Sequence, residues 1–262
     1  MIDIYLAGIG LCAPGMLDWA SGSTVLRGEM PISDEQPKPV ATLLPPAERR
    51  RSSQATRFAL QAGQEAITHA GISATQAAVV FASSDGDGEN LHYILESLAQ
   101  PEHEVSPTRF HNSVHNAAAG YWNIATGART PANSIAAYDD SFVAGLLEAA
   151  VQAAAENIPV LLVAFDLPLP TPLHEVRPTA APFAVALLLT TQPDNALAHL
   201  RISLEPGTAA GTVMSNPELE CLRCGNPAAR ALPLLQAVAK GQAQHIVLGW
   251  GDNNLVIELN RE

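Results

Sequence analysis

Residues 132–156, ANSIAAYDDSFVAGLLEAAVQAAAE, give the clearest indication of how this chain folds. The first six residues of this stretch predict a short strand, and Ser141–Glu156 predicts a long helix. Apolar side chains cover most of that helix, whereas Glu148, Gln152 and Glu156 form one narrow polar stripe. A helix that is apolar over most of its surface lies in an internal layer. The stretch therefore predicts a strand, a tight turn and a buried helix.

Other strands agree with a layered fold. Three short runs are apolar on both faces: AAVVFA at 77–82, VLLVAF at 160–165 and FAVALLL at 183–189. Strands that do not alternate between apolar and polar residues are covered on both sides. Residues 2–12 predict a further strand that enters a glycine-containing loop. We therefore expect an α/β fold with helices on both faces of a sheet.

The remaining elements are predicted from periodicity and from helix breakers. We expect helices over residues 47–70, 89–98, 114–126 and 228–240, and a hairpin of residues 245–250 with 255–259. Gly71 stands where the first of these helices should stop. Residues 13–47 and 203–227 contain scattered Pro and Gly, and we expect irregular structure there.

Composition excludes several functional classes. The 262 residues fit one domain or two small ones, and 47% of them are hydrophobic. The formal charge of -12 argues against a nucleic-acid partner, because phosphate binding needs a positive field. It also argues weakly against docking an acidic carrier protein over a broad face. We find no signal peptide and no membrane span, and expect a soluble cytoplasmic protein.

Several segments together resemble the β-ketoacyl synthases. SPTRFHNSVHNAAAG at 106–120, TGARTP at 126–131 and NSI at 133–135 are similar to the segment that leads into the family's nucleophile. LPPAERRR at 44–51 and TRFAL at 56–60 are similar to the family's first helix. The resemblance implies a layered thiolase-type half-fold, with residues 1–190 as a ketosynthase N-terminal-like domain. Residues 191–262 would be a reduced C-terminal segment that packs on this domain as a cap.

In ketosynthases a cysteine nucleophile stands at the start of the buried helix. Matching residue by residue places Asp139 at that position, with Tyr138, Asp140 and Ser141 as its neighbours. A carboxylate is stable at a helix N-terminus, but it cannot exchange thioesters as a thiolate does. The family's two later histidine motifs are also missing. The resemblance therefore implies a vestigial site without a catalytic residue, a cofactor or a metal.

Ketosynthase-like chains that lack the cysteine are chain-length factors, and this sequence resembles the short type found with aryl polyene ketosynthases. The resemblance implies a non-catalytic subunit that forms a heterodimer with a catalytic β-ketoacyl synthase, stabilises it and shapes its acyl tunnel. The acyl carrier protein would be an indirect partner. The residues expected at the interface or tunnel are Phe110, His111, Asn112, Ser113, Val114 and His115.

Two other functions stay open. Ser141 with Asp139 or Asp140 and His115 could form the triad of a free-standing acyl-thioester hydrolase, although no Gly-x-Ser-x-Gly elbow is present. A self-associating protein that sequesters acyl carriers is the third hypothesis.

Patterns that suggest metals are incomplete. Cys221 and Cys224 lack a second pair of ligands, and no Glu follows His111 as zinc proteases of this spacing require. Residues 85–96 echo a calcium loop, but Asn90 replaces its glycine, so a strand-to-helix connection is the better interpretation. The arginines at 49–51 either form a solvated face, which we favour, or contact a carrier's phosphopantetheine.

Overall fold

Eight strands form one mixed sheet in the computed structural model, which describes residues 1–207 and 209–260. The strands are β1 (Ile2–Cys12), β2 (Ala78–Ala82), β3 (Ala132–Ile135), β4 (Val160–Asp166), β5 (Phe183–Thr190), β6 (Ala198–Pro206), β7 (Gln244–Trp250) and β8 (Asn253–Asn260). Their order across the sheet is β3-β2-β4-β5-β1-β6-β8-β7. β2 runs parallel to both β3 and β4, so the residues that follow these three strands meet at one end of the sheet.

Helices cover both faces of this sheet. They are α1 (Trp19–Arg27), α2 (Pro46–Arg51), α3 (Gln54–Ala70), α4 (Gly88–Ala99), α5 (Pro107–Asn112), α6 (Ala117–Thr126), α7 (Ser141–Glu156), α8 (Leu173–Val176), α9 (Pro217–Gly225) and α10 (Leu232–Lys240). Among the described residues, no helix is long and apolar enough to cross a membrane.

Two apolar layers lie on opposite faces of the sheet. One contains side chains of α1, α7 and α10, and the other contains side chains of α3 and α6. The three apolar runs form β2, β4 and β5, and every residue of these strands is buried. The buried helix α7 begins and ends at the predicted residues. The expected α/β fold with helices on both faces is therefore confirmed.

The segment 191–262 contributes to both the sheet and one helical layer. β6 pairs with β1 and β8, so the sheet continues past the first strand. α10 and the turn Ala228–Ala231 share the apolar layer of α7. Thr208, Arg261 and Glu262 lie outside the described residues.

Several predicted boundaries were wrong. The helix expected over 47–70 is two helices, because Ser52 is extended and the Ser53 hydroxyl caps α3 by accepting from the Thr56 amide. The helix expected over 114–126 begins at Ala117, and α5 forms its own short helix with Pro107 at its first turn. α1 and β6 were not predicted, while the Gly71 stop and the C-terminal hairpin are confirmed.

Candidate functional site

The turn between β3 and α7 forms the centre of the site. Residues Tyr138–Asp140 make one 3-10 turn directly before the N-terminus of α7. Tyr138 has φ of 52°, a left-handed backbone conformation that residues other than glycine rarely adopt. Its ring is exposed, and the side chain of Asp139 is half-exposed. The turn thus presents both side chains at the carboxyl end of the parallel strands.

Arg177 crosses this site from the loop after α8. Its Nη1 atom donates to Asp139 Oδ1 at 2.7 Å, and its Nη2 atom donates to Ser84 Oγ at 2.5 Å. Its Nε atom lies 3.4 Å from Asp85 Oδ2, and its guanidinium lies 3.8 Å from the centroid of the Tyr138 ring. Burial opposes the charged form, but the hydrogen bond to Asp139 and the two carboxylate charges outweigh it, so the pKa of Arg177 is raised. Arg177 is a fixed cation between Asp85 and Asp139.

A buried carboxyl group lies behind this ion-pair cluster. Asp166, the last residue of β4, is 1% exposed. Its Oδ1 atom accepts from Ser83 Oγ at 3.0 Å and from the Ser84 amide at 2.8 Å. Burial raises the pKa of Asp166 to about 7, and the nearby charge of Asp85 adds to the shift while the hydrogen bonds oppose it. This carboxyl group therefore titrates close to neutral pH.

The C-terminal segment anchors the same region. Arg230 pairs with Asp140, the third residue of the turn. The side-chain amide of Asn226 donates to the carbonyl oxygens of Asp166 and Ala181 at 2.9 and 2.8 Å. The C-terminal segment therefore bonds both to the turn before α7 and to the end of β4.

Ser141 is buried and bonded to its own turn. Its hydroxyl donates to the Tyr138 carbonyl at 2.7 Å and accepts from the Ala137 amide at 3.0 Å. His115 Nε2 lies 3.0 Å from the Ser83 carbonyl oxygen instead of contacting Ser141. Within the described residues the structure does not assemble a Ser–His pair here, so the geometry gives the hydrolase hypothesis no support.

The six residues expected at the interface divide into exposed and internal ones. Phe110 is 64% exposed and Val114 is 47% exposed. Asn112 is buried, with its amide donating to the Arg51 carbonyl and its Oδ1 atom accepting from the Tyr121 hydroxyl. His111 is also exposed, and its ring meets the Tyr121 ring edge-on. Ser113 and His115 are half-buried: Ser113 donates to the Phe110 carbonyl, and His115 points inward to Ser83.

Further apolar side chains are exposed on the neighbouring helix α4. Leu91, Leu95 and Leu98 are exposed along α4, which packs against α5. We call these three side chains, together with Phe110 and Val114, the α4–α5 surface. Asp87 caps α4 by accepting from the Asn90 amide, which confirms the strand-to-helix interpretation of residues 85–96. Exposed apolar patches of this kind mark interaction sites.

A groove of about 970 Å³ collects an unusual share of the basic residues. The chain has 14 Lys and Arg side chains. Six of them line this groove: Lys38, Arg49, Arg50, Arg51, Arg57 and Arg109. Arg49 and Arg57 also donate to backbone carbonyls, so part of the basic groove is fixed.

The cysteines show no sign of activation. Cys12 is buried, and burial followed by the charge of Glu65 raises the pKa of its thiol to about 12. Cys221 and Cys224 are exposed on α9, and the Cys224 thiol donates to Glu220. Among the described residues, no group of three or more His, Cys, Asp or Glu side chains is arranged to hold a metal ion.

Sequence reasoning missed the residues that build the site around Asp139. Arg177 follows α8 in a proline-containing loop, and Asp166 ends an apolar strand. No local spacing links either of them to Asp139. The parallel arrangement of β2, β3 and β4 brings the ends of these strands together, but it is seen only in the structure.

Comparisons with known proteins agree with the fold. Residues 19–247 match the family described as the N-terminal domain of β-ketoacyl synthases. A search of curated proteins finds no match. A chain from the structure of the ketosynthase ApeO in complex with its chain length factor ApeC, from Xenorhabdus doucetiae, is 26% identical with a TM-score of 0.75. That alignment covers 98% of this chain and 100% of the other.

Two more distant structures show the same fold. A chain of the ishigamide ketosynthase/chain length factor is 14% identical, with a TM-score of 0.73 and coverage of 99% of both chains. A chain of AntDE:AntF, a type II acyl-carrier protein in complex with its ketosynthase, is 10% identical with a TM-score of 0.74. That alignment covers 100% of this chain and 99% of the other. The match over residues 19–247 confirms the resemblance found in the sequence: this chain belongs to the β-ketoacyl synthase N-terminal domain family.

Proposed function

We propose that this chain is the non-catalytic, chain-length-factor subunit of a heterodimeric ketosynthase. The observation that carries the proposal is the ion pair between Arg177 and Asp139. Asp139 is the residue that the sequence resemblance assigns to the position of the family's nucleophile. The 26% identity over the whole length of a chain from the ApeO–ApeC complex supports the choice of partner.

The site chemistry supports a subunit that forms no acyl-enzyme. A thioester intermediate needs a thiolate at the start of α7, and this chain has a carboxylate whose oxygen already bonds Arg177. The partner ketosynthase would supply the thiolate and elongate an acyl thioester by decarboxylative Claisen condensation. This chain would stabilise that partner and limit the length of its acyl tunnel.

The open edge of the sheet supports docking. β3 is the terminal strand of the sheet and pairs with β2 alone among the described strands. Such an edge offers free backbone donors and acceptors to a strand of another subunit. The α4–α5 surface supplies the apolar contact that a stable interface needs. We propose that both features face the ketosynthase, with Phe110 at the shared tunnel.

The basic groove offers a surface for the carrier. Glu89 also lines the groove and pairs with Arg109, and Glu48 pairs with Arg51. Basic side chains still outnumber acidic ones along the groove, so its local field is opposite in sign to the net charge of -12 of the whole chain. A carrier protein that brings a phosphopantetheine group and acidic side chains would be attracted to it. We therefore propose that the carrier docks at this groove while its acyl chain reaches the partner's cysteine. This proposal replaces two expectations from the sequence, an indirect role for the carrier and a solvated face for the arginines at 49–51.

The biosynthetic setting follows from the same likeness. We propose that the complex makes aryl polyene chains in the cytoplasm, as the resemblance to short chain-length factors implies.

Co-expression with the ketosynthase encoded beside its gene tests the assembly. Size-exclusion chromatography with mass detection should give a soluble one-to-one complex. A stable homodimer that does not bind the ketosynthase would contradict the proposal and favour the carrier-sequestering hypothesis. Thioester hydrolysis that disappears in Ser141→Ala, but persists in the control Ser113→Ala, would favour the hydrolase instead.

A further inference from the structure

Tyr138 combines three properties that rarely occur together. Its backbone is left-handed, its ring is 65% exposed, and the guanidinium of Arg177 lies 3.8 Å from the ring centroid. A β-carbon makes the left-handed conformation unfavourable, so the surrounding structure must impose it. Residues held in such conformations concentrate at functional positions.

Arg177 gives the Tyr138 ring a rigid support. Three groups hold the guanidinium: Asp139, Ser84 and the carboxylate of Asp85. Only 16% of the Arg177 side chain is exposed, although the tyrosine above it faces solvent. One face of the ring is therefore fixed on a nearly buried cation, and the other face is open. Folding has already ordered this aromatic side chain, so a partner would not have to order it on binding.

The phenol group of Tyr138 is also available. Among the hydrogen bonds of the described residues, none uses the Tyr138 hydroxyl, whereas that of the buried Tyr121 donates to Asn112. A tyrosine that only filled space in this fold would bury its ring and satisfy its hydroxyl, as Tyr121 does. Tyr138 does neither.

The position of Tyr138 points to the kind of partner. It follows β3, the open edge of the sheet, by three residues, and it precedes α7. A strand that pairs with β3 would bring its own subunit close to this ring. Rigid, preorganised tyrosines with one polar tip are typical hot spots of protein interfaces.

We propose that Tyr138 is an anchor for the partner ketosynthase subunit and that Arg177 is its positioning residue. The proposal rests on the proposed function and deepens it by naming a contact. The partner would receive the open face of the ring in an apolar pocket, with an acceptor for the phenol hydroxyl. In this account the turn that matches the family's nucleophile has become a recognition element.

The exchange rate of the purified complex tests this contact. Complexes of the unlabelled chain with the ketosynthase are mixed with excess labelled wild-type chain, and the release of the unlabelled chain from the ketosynthase is followed. Tyr138→Ala should speed release at least tenfold, and Tyr138→Phe should have a smaller effect. Tyr5→Ala is the control, since Tyr5 lies on β1 and stacks on His199 inside its own subunit.

A double-mutant cycle tests whether Arg177 acts by positioning Tyr138 or only by stabilising the fold. Arg177→Lys keeps the charge but loses the planar surface and the several hydrogen bonds. It should speed release clearly when Tyr138 is present and hardly at all when combined with Tyr138→Ala. Equal effects of Arg177→Lys in both backgrounds would overturn the positioning role.

The outcomes distinguish this inference from the function on which it rests. If the wild-type chain forms no complex, the proposed function fails. If the complex forms and Tyr138→Ala exchanges at the wild-type rate, the proposed function stands and the anchor is overturned.

Discussion

Arg177 Nη1 lies 2.7 Å from Asp139 Oδ1, although 38 residues of chain separate the two side chains. Both members of this ion pair, which lies at the start of α7, belong to this chain. The Arg177 guanidinium stays charged at every pH that the protein meets, and against the opposing effect of burial the hydrogen bond to Asp139 raises its pKa further. The structure thus has an internal ion pair at the start of α7, where we propose that the catalytic relatives carry a reactive thiol.

Replacing the carboxylate by a thiol should not create a ketosynthase. Asp139→Cys would introduce the nucleophile type of the family, but Arg177 would still fill the site, and the later histidine motifs are absent from the sequence. We expect no acyl adduct on this subunit when the complex is incubated with acyl carrier protein and analysed by intact mass. The partner's own cysteine, acylated in the same sample, is the control, and turnover through the new thiol would contradict the account.

Asp166 makes stability depend on pH. Its pKa is raised from 3.8 to about 7, so the fold favours the protonated form. The stabilising contribution is complete below about pH 4 and is lost as the pH rises through about 7. Asp166→Asn keeps the acceptor for Ser83 and mimics the protonated acid, so it should gain stability relative to the wild type between pH 5 and pH 8.

The gain follows from the linkage between protonation and folding. One pKa unit corresponds to about 1.4 kcal/mol, and the interval from pH 5 to the folded pKa spans about two units, so we expect a relative change of about 2.5 kcal/mol. Denaturant unfolding of both proteins at the two pH values measures it, and Asp194→Asn on the exposed surface is the control. If the free energy of unfolding changed equally with pH in the wild type and in Asp166→Asn, the buried carboxyl group would not titrate between pH 5 and pH 8.

Phe110→Ala tests the tunnel assignment. Phe110 is 64% exposed on α5, so its truncation should lower the free energy of unfolding of the isolated chain only slightly. We expect longer products, measured by mass spectrometry, or a weaker complex, measured by chromatography. Val176→Ala removes another exposed apolar side chain and should change neither. Unchanged product length together with an unchanged complex would rule out a role for Phe110.

Arg50→Glu tests the basic groove. Arg50 is exposed on α2 and lines the groove, so reversing its charge should raise the KM for the carrier protein several-fold and leave kcat unchanged. The increase should shrink as the salt concentration rises, because exposed charges are screened. Arg129→Glu reverses an exposed charge outside the groove and serves as the control. Equal KM values for both variants would contradict carrier docking here.

Local patterns were sufficient for the elements with the strongest periodicity. The apolar circumference of α7 and the continuous apolar runs of β2, β4 and β5 specified an internal helix and doubly covered strands. β6 was missed although its signal was present: Ala198, Leu200 and Ile202 alternate with less buried residues. The break before α3 was also readable, since Ser53 stands at an N-cap position.

The ion-pair cluster could not be read from sequence. Arg177 meets Ser84 across 93 residues and Asp139 across 38. Contacts between such distant residues depend on the order of strands in the sheet, which local spacing does not encode. The sequence resemblance predicts that Asp139 stands at the family's nucleophile position, and this stays a prediction. Its partner Arg177 emerged only from the fold.

The decisive measurement is the condensation rate of the one-to-one complex, compared between the wild-type ketosynthase and a variant that carries Ala in place of its nucleophilic Cys. We expect rapid condensation by the wild-type complex, and none once that single cysteine of the partner is removed. The assay follows carrier-bound product by mass spectrometry at equal protein concentrations. Condensation that survives the loss of the partner's cysteine would show that this chain carries out chemistry of its own and would contradict the account.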